Sequence, residues 1–80
     1  MPTVQVRLFA TLRRYFPDLQ LGESITVDLP DGATVGQLIE HLNIPIEEVK
    51  IVFVNNIVRD MESTLEDGDM VGIFPPVGGG

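Results

Sequence analysis

Val4, Val6 and Leu8 alternate with Gln5 and Arg7, the two-residue period of a strand that buries one face. The alternation returns at Ile25, Val27 and Leu29, interleaved with Thr26 and Asp28. Between the two, Ala10 to Phe16 loses that period and reads as a short helix, which Pro17 ends. The spacing predicts that the two strands pair as a long hairpin, and Phe9 falls on the face opposite Leu8. Pro30-Asp31-Gly32 is a turn signal. The period then becomes helical: Val35, Leu38, Ile39 and Leu42 share one face, while Gln37, Glu40 and His41 point away from it. Thr34 stands at the N-cap with Gln37 in the capping-box position three residues on. Asn43 and Pro45 close the helix.

Ile46 to Val49 reads as another short turn. Ile51-Val52-Phe53-Val54 is almost wholly apolar, which predicts a central strand covered on both faces. Asn55-Asn56 suits a tight hairpin turn, because Asn tolerates positive φ, and Ile57-Val58 is the returning strand. Leu65-Glu66-Asp67-Gly68-Asp69 is an acidic turn before a last strand at Met70-Val71-Gly72-Ile73-Phe74. The order is β, β, α, β, β, β with an extra short helix near residue 12. One helix packed across one mixed sheet of about five strands buries the helical face most simply. With the first and last strands parallel and adjacent at the centre, this is the ubiquitin-like β-grasp, an α+β fold.

Composition narrows the chemistry. The 80 residues suit one domain, and an apolar share of 44% is ordinary for a globular one. There is no cysteine, which excludes disulfides, a thiol nucleophile and cysteine-based metal sites, so any sulfur handled here arrives from elsewhere. The net charge of −7 argues against nucleic acid and suits solubility, or steering toward basic partner enzymes. No apolar run approaches the ~18 residues of a membrane span, and Met1-Pro2-Thr3-Val4 does not begin a signal peptide. A cytoplasmic location is the expectation. No metal site is expected either: Glu66, Asp67 and Asp69 lack the spacing of a calcium loop and read as turn formers. His41, the one histidine, lies on the polar helix face. Glu47 and Glu48 fit the first turn of a short helix, near its positive end.

The remaining feature is Gly78-Gly79-Gly80. Three glycines add nothing to a core and carry the largest backbone entropy of any residue. They do form a thin thread that can enter an active site too narrow for a side chain. Phe74-Pro75-Pro76-Val77 stiffens the base of the thread. The reading is a globular domain over residues 1–74 and a flexible reactive tail over 75–80, ending in a free carboxylate at Gly80. No helix follows the glycines, so they are no phosphate loop.

Phe9-Ala10-Thr11-Leu12-Arg13 after a first strand, Val54-Asn55-Asn56 at a hairpin and Leu65-Glu66-Asp67-Gly68-Asp69 before a last strand resemble the bacterial and archaeal sulfur carriers of the MoaD/ThiS family. The ending Phe74-Pro75-Pro76-Val77-Gly78-Gly79-Gly80 is similar to that of the small subunits of molybdopterin synthase. The resemblance covers the whole chain. Gly78 departs from the small side chain that the molybdopterin carriers often have there. Thiamin carriers more often show three glycines but usually lack the Pro-Pro pair.

The resemblance implies a chain that is not an enzyme on its own, binds no cofactor, and supplies a reacting group to partners. A terminal carboxyl titrates at about 3.5, so at neutral pH it is a poor electrophile and must be activated. An E1-like adenylating enzyme would use ATP to make an acyl-adenylate on Gly80, with Gly79 beside it in the narrowest part of the site. A sulfur donor protein carrying a persulfide would displace AMP and leave a thiocarboxylate. The large subunit of molybdopterin synthase would accept the tail, six residues from Pro75 that span roughly 20 Å when extended. Two sulfurs would be placed on a cyclic pterin in molybdenum or tungsten cofactor biosynthesis. The family's apolar docking patch beside the tail maps to Phe9, Val58 and Phe74, and its arginine near the tail to Arg13. Pro75, Pro76, Val77 and Gly78 would line the partner's channel. Three alternatives stay open: a carrier for thiamin thiazole or another sulfur-containing product, a ubiquitin-like modifier joined through Gly80 to lysines, and a structural adaptor, which leaves the glycines unexplained.

Overall fold

The computed structural model describes residues 1–19 and 23–76. Strand β1 (Thr3–Leu8) runs into a 3₁₀ turn (Ala10–Tyr15), and β2 (Ile25–Asp28) returns antiparallel to β1 with Val4 opposite Val27. Helix α1 (Val35–His41) and a second 3₁₀ turn (Ile46–Glu48) lead to β3 (Ile51–Val54), β4 (Ile57–Arg59) and β5 (Met70–Phe74). The sheet order is β2-β1-β5-β3-β4, and β1 and β5 are parallel at its centre. This is the ubiquitin-like β-grasp that the element order predicts.

Local chemistry fixes each boundary. Thr34 and Gln37 form the reciprocal capping box, while the Val35 and Gly36 amides donate to the Ser63 and Met61 carbonyls. The first donors of a short helix are thus satisfied from its own side chains and from a crossing loop. At the other end Asn43 adopts φ 60°, and the Asn43 and Ile44 amides bond back to Glu40 and Ile39. That is a Schellman closure with Asn in the left-handed position. Asn55 and Asn56 both take positive φ, 53° and 69°, giving the two-residue turn whose twist matches a hairpin.

The core lies between α1 and one face of the sheet. Val35, Leu38 and Ile39 from the helix meet Val4, Val6, Val52, Val71 and Ile73 from the strands, and Leu12 closes one end. The turn at Leu65–Asp69 is stitched to β1 and to the hairpin. The Asp67 carboxylate accepts from the Thr3 amide at 2.8 Å, and the Asp69 carboxylate accepts from the Glu66 amide and the Asn55 carboxamide. These two carboxylates form turns, as the spacing predicts.

One expectation fails. β3 has strands on both sides, but only Val52 and Val54 are buried; Ile51 is 39% exposed and Phe53 half-buried. A single helix covers a single face of the sheet. The apolar run Ile51–Val54 therefore feeds the core with alternate residues and places the others on the open face.

Candidate functional site

The open face is built by the residues that the strand period turns away from α1. Registers set Arg7 of β1 opposite Gly72 of β5, Gly72 opposite Phe53 of β3, and Phe53 opposite Val58 of β4. Ile51 faces Phe74 one step along. Phe9 leaves the end of β1 with its amide donating to the Ile73 carbonyl at 3.2 Å, and the chain then bends through Ala10 at φ 53°. Left-handed backbone costs a non-glycine residue about 1–2 kcal/mol. The bend lets the Phe9 ring lie back over the sheet.

Three aromatic rings meet there. Phe9 stacks on Phe74 with centroids 4.2 Å apart and planes within 2°, and Phe53 meets Phe74 edge-on at 5.5 Å and 60°. All three are half-buried. Gly72 leaves room for the stack as it stands, because a Cβ there would come 3.3 Å from Phe9 Cε2 and press that ring outward. The rings, Gly72 and Arg7 line a shallow groove, with Met70, 44% exposed, at one end. Val58, 60% exposed, extends the apolar surface to the sheet edge.

Phe74 is also where pairing stops. Its carbonyl accepts from the Lys50 amide at 2.8 Å, and Pro75 has no N–H with which to continue the ladder. Pro75 is half-buried and Pro76 exposed. The chain therefore leaves the sheet beside the aromatic stack. Val77, Gly78, Gly79 and Gly80 lie outside the described residues.

The structure brings Phe9, Phe74 and Val58 onto one face, with Pro75 following directly. Arg13 is half-buried and donates to the Leu19 carbonyl at 3.4 Å, a contact within its own loop. Sequence reasoning missed Phe53, Arg7 and Gly72. Phe53 is hidden in an apolar run, and Arg7 looks like any outward residue of an alternating strand. Gly72 carries a readable signal, a glycine inside a strand, which marks close approach by another group.

A separate cluster braces the two 3₁₀ turns. Glu48 accepts from the Tyr15 hydroxyl and from the Arg14 guanidinium, and Arg14 lies 5.0 Å from the Tyr15 ring centroid. The Tyr15 hydroxyl is held above its usual pKa, chiefly because it donates to the Glu48 carboxylate and secondarily by desolvation. Arg14 is pushed further toward its charged form by its bond to Tyr15 and by Glu48. No group of three or more His, Cys, Asp or Glu among the described residues could hold a metal ion. No described helix is long and apolar enough to cross a membrane.

Fold and site together define a ubiquitin-like β-grasp domain with an aromatic face at the root of its C-terminal segment. The chain matches the ThiS family over residues 6–80 and belongs to that family. It is similar in structure to a Pyrococcus furiosus protein with the provisional name molybdopterin converting factor, subunit 1. The two are 28% identical, with a TM-score of 0.75 over 96% of this chain and 100% of that one. It is also similar in fold to small archaeal modifier protein 1 of Haloferax volcanii (21% identity, TM-score 0.76, 96% and 100% covered). A third similar fold is in a complex of subunits 1 and 2 of molybdopterin-converting factor from Helicobacter pylori (21%, 0.62, 98% and 99% covered). No curated protein sequence matches the chain.

Proposed function

We propose that this chain is a sulfur carrier, the small subunit of a molybdopterin synthase, whose reacting group is the carboxylate of Gly80. The observation that carries the reading is the course of β5. It runs through the sheet centre, ends at Phe74 beside an open aromatic face, and passes through Pro75-Pro76 into a segment that ends in three glycines. Membership of the ThiS family and the likeness to the Pyrococcus protein support it.

In this reading the partner's active site supplies the catalysis and the carrier supplies the substrate atom. One Gly80 carboxylate oxygen attacks the α-phosphorus of ATP, and pyrophosphate leaves. The terminal sulfur of a persulfide then attacks the acyl carbon and AMP leaves. A second thiol cleaves the resulting S–S bond and releases the thiocarboxylate, which stays ionised at neutral pH and delivers sulfur to an electrophilic carbon. Gly79 and Gly80 admit the thread to a site where a Cβ would clash. The aromatic face of Phe9, Phe53 and Phe74, extended by Val58, docks on the large subunit and on an E1-like enzyme in turn; a similar fold from Helicobacter pylori is found in a complex of subunits 1 and 2 of molybdopterin-converting factor. Arg13 is the candidate for a contact near the tail. All of this takes place in the cytoplasm.

Intact mass spectrometry after coexpression with the cognate activating enzyme tests the reading. The expected product carries the mass of one oxygen-to-sulfur exchange at the terminus. Heavier lysine-linked products would favour a protein modifier. Exchange without copurification of a large synthase subunit would move the carrier to thiamin or another sulfur-containing product.

A further inference from the structure

We propose that Arg7 is a specificity residue of the aromatic face, and that it pairs with a carboxylate presented among apolar side chains by the partner that receives the tail. The inference rests on the carrier reading and adds the chemistry of the partner's surface.

The charge pattern of the groove is the reverse of the chain's. Twelve Asp and Glu residues give a net charge of −7, yet among the described residues no acidic side chain lines the groove, and its one charged group is Arg7. The polar half of the open face closes on itself. The Gln5 carboxamide oxygen accepts from the Ser24 and Thr26 hydroxyls, and the Thr3 hydroxyl donates to Asp28. Asn55 is occupied by Asp69 and by the Met70 amide. Arg13 and Arg14 have partners within the chain, whereas Arg7 has neither an ion pair nor a side-chain hydrogen bond among the described residues. It stands exposed opposite Gly72, where β5 offers no side chain to cover it.

A lone exposed arginine adds little to folding stability, so the fold does not account for Arg7. Docking changes its surroundings. A partner that covers the three rings also strips water from the guanidinium beside them, and an unmet charge there opposes binding. A carboxylate meets it with a charge-assisted, bidentate pair. A partner with apolar side chains alone is rejected, which is how one buried cation separates otherwise similar surfaces. A second copy of this chain is a poor occupant, since two-fold pairing through this face would bring two uncompensated Arg7 groups into one apolar interface with no acid between them.

The test is calorimetric titration of the purified large subunit of molybdopterin synthase from the same source with wild type, Arg7→Gln, Arg7→Glu and Arg59→Gln. Arg59 is exposed on β4 and does not line the groove. Arg7→Gln is expected to weaken Kd roughly three- to tenfold and Arg7→Glu well beyond tenfold, with thermal unfolding of both unchanged and Arg59→Gln binding as wild type. Arg7→Glu binding as tightly as wild type, or more tightly, overturns the inference and leaves the carrier reading intact. A wild type that does not bind removes the inference and the assignment to molybdopterin synthase, while sulfur carriage itself stands or falls by the mass of the terminus. Sedimentation equilibrium tests the second-copy alternative: a wild-type dimer that Phe53→Ala dissociates would give this face to self-association and overturn the proposal.

Discussion

Gly72→Ala separates what the aromatic face does for folding from what it does for a partner. The glycine sits within β5 outside the left-handed region, so the backbone accepts an L side chain there. The new Cβ would come 3.3 Å from Phe9 Cε2 and 3.6 Å from Phe74 Cε1. The first distance is a few tenths of an ångström under the optimum of about 3.5–4.0 Å between carbons. The obstacle is a half-exposed ring rather than backbone, so Phe9 can lift. Against that small strain, replacing glycine inside a strand recovers about 0.5–1 kcal/mol, mainly by restricting the unfolded chain. Tilting the Phe9–Phe74 stack forfeits part of the ~0.5–1.5 kcal/mol that an aromatic pair contributes beyond its buried area. The two effects nearly cancel and leave stability within about 1 kcal/mol of wild type in either direction, a change in Tm of no more than ~8 °C for a domain of this size. Docking has no such offset, because the rings form its surface; a loss of ~1 kcal/mol, about fivefold in Kd, is expected. Thermal denaturation followed by circular dichroism and calorimetric titration with the large subunit measure the two quantities. A fall in Tm beyond ~8 °C would mean that Phe9 cannot yield and belongs to the core. Unchanged affinity with a displaced ring would mean that the stacked geometry is irrelevant to docking.

Phe74→Ala removes both ring contacts. Because Phe74 is half-buried, the expected stability loss is ~1–2 kcal/mol, below the 3–5 of a fully buried Phe, while partner affinity falls more than tenfold; wild-type affinity in a folded variant would take Phe74 out of the docking surface. Tyr15 is the only tyrosine and there is no tryptophan, so phenolate absorbance reports this one group. It should ionise above the ordinary tyrosine range of about 10, and Glu48→Ala should bring it back down. The sign follows from the protonated form being favoured in the folded state. The contribution of the Tyr15–Glu48 contact is complete below the unfolded tyrosine's range and is lost as pH rises through the higher folded value; an ordinary titration in wild type would contradict the hydrogen bond. Appending one residue after Gly80 should abolish sulfur transfer and leave unfolding unchanged, and retained transfer would refute the role of the terminal carboxylate.

The elements that local chemistry determines are the ones legible in the chain. The helical face at Val35, Leu38, Ile39 and Leu42, the capping box of Thr34 and Gln37 and the Asn55-Asn56 turn depend on residues within a few positions of one another, and the structure has all of them. The face of β3 was not legible in the same way. Four consecutive apolar residues carry no period, and whether one side stays open depends on how many helices the chain can spend on the sheet. With one helix, Phe53 goes to the open face. Arg7 and Gly72 become meaningful only through the β1–β5 register, which joins segments more than sixty residues apart. Phe9 lies between these cases: its opposite phase to Leu8 was readable, but its stacking on Phe74 follows from the bend at Ala10, a left-handed alanine that nothing in the sequence announces.

The central, parallel placement of β5 has a mechanical consequence for a carrier. An edge strand frays at its end, but β5 is paired on both sides to its last residues. The Phe9 amide holds the Ile73 carbonyl on one flank, and the Lys50 amide holds the Phe74 carbonyl on the other. Pro75 then ends the ladder at one defined position. A partner that grips the aromatic face therefore grips the sheet beside Phe74 and Pro75, where the chain leaves it, so in the carrier reading the distance to the reacting end is counted from a fixed point. Holding one end of a short chain near its target raises the effective concentration of the other end there, and the gain diminishes as the free segment lengthens. In the carrier reading the reacting end is Gly80, six residues beyond Phe74, which keeps that segment short. Inserting a flexible pair between Pro76 and Val77 should accordingly slow transfer more than it weakens docking, a division that a tail recognised only by its own residues would not produce.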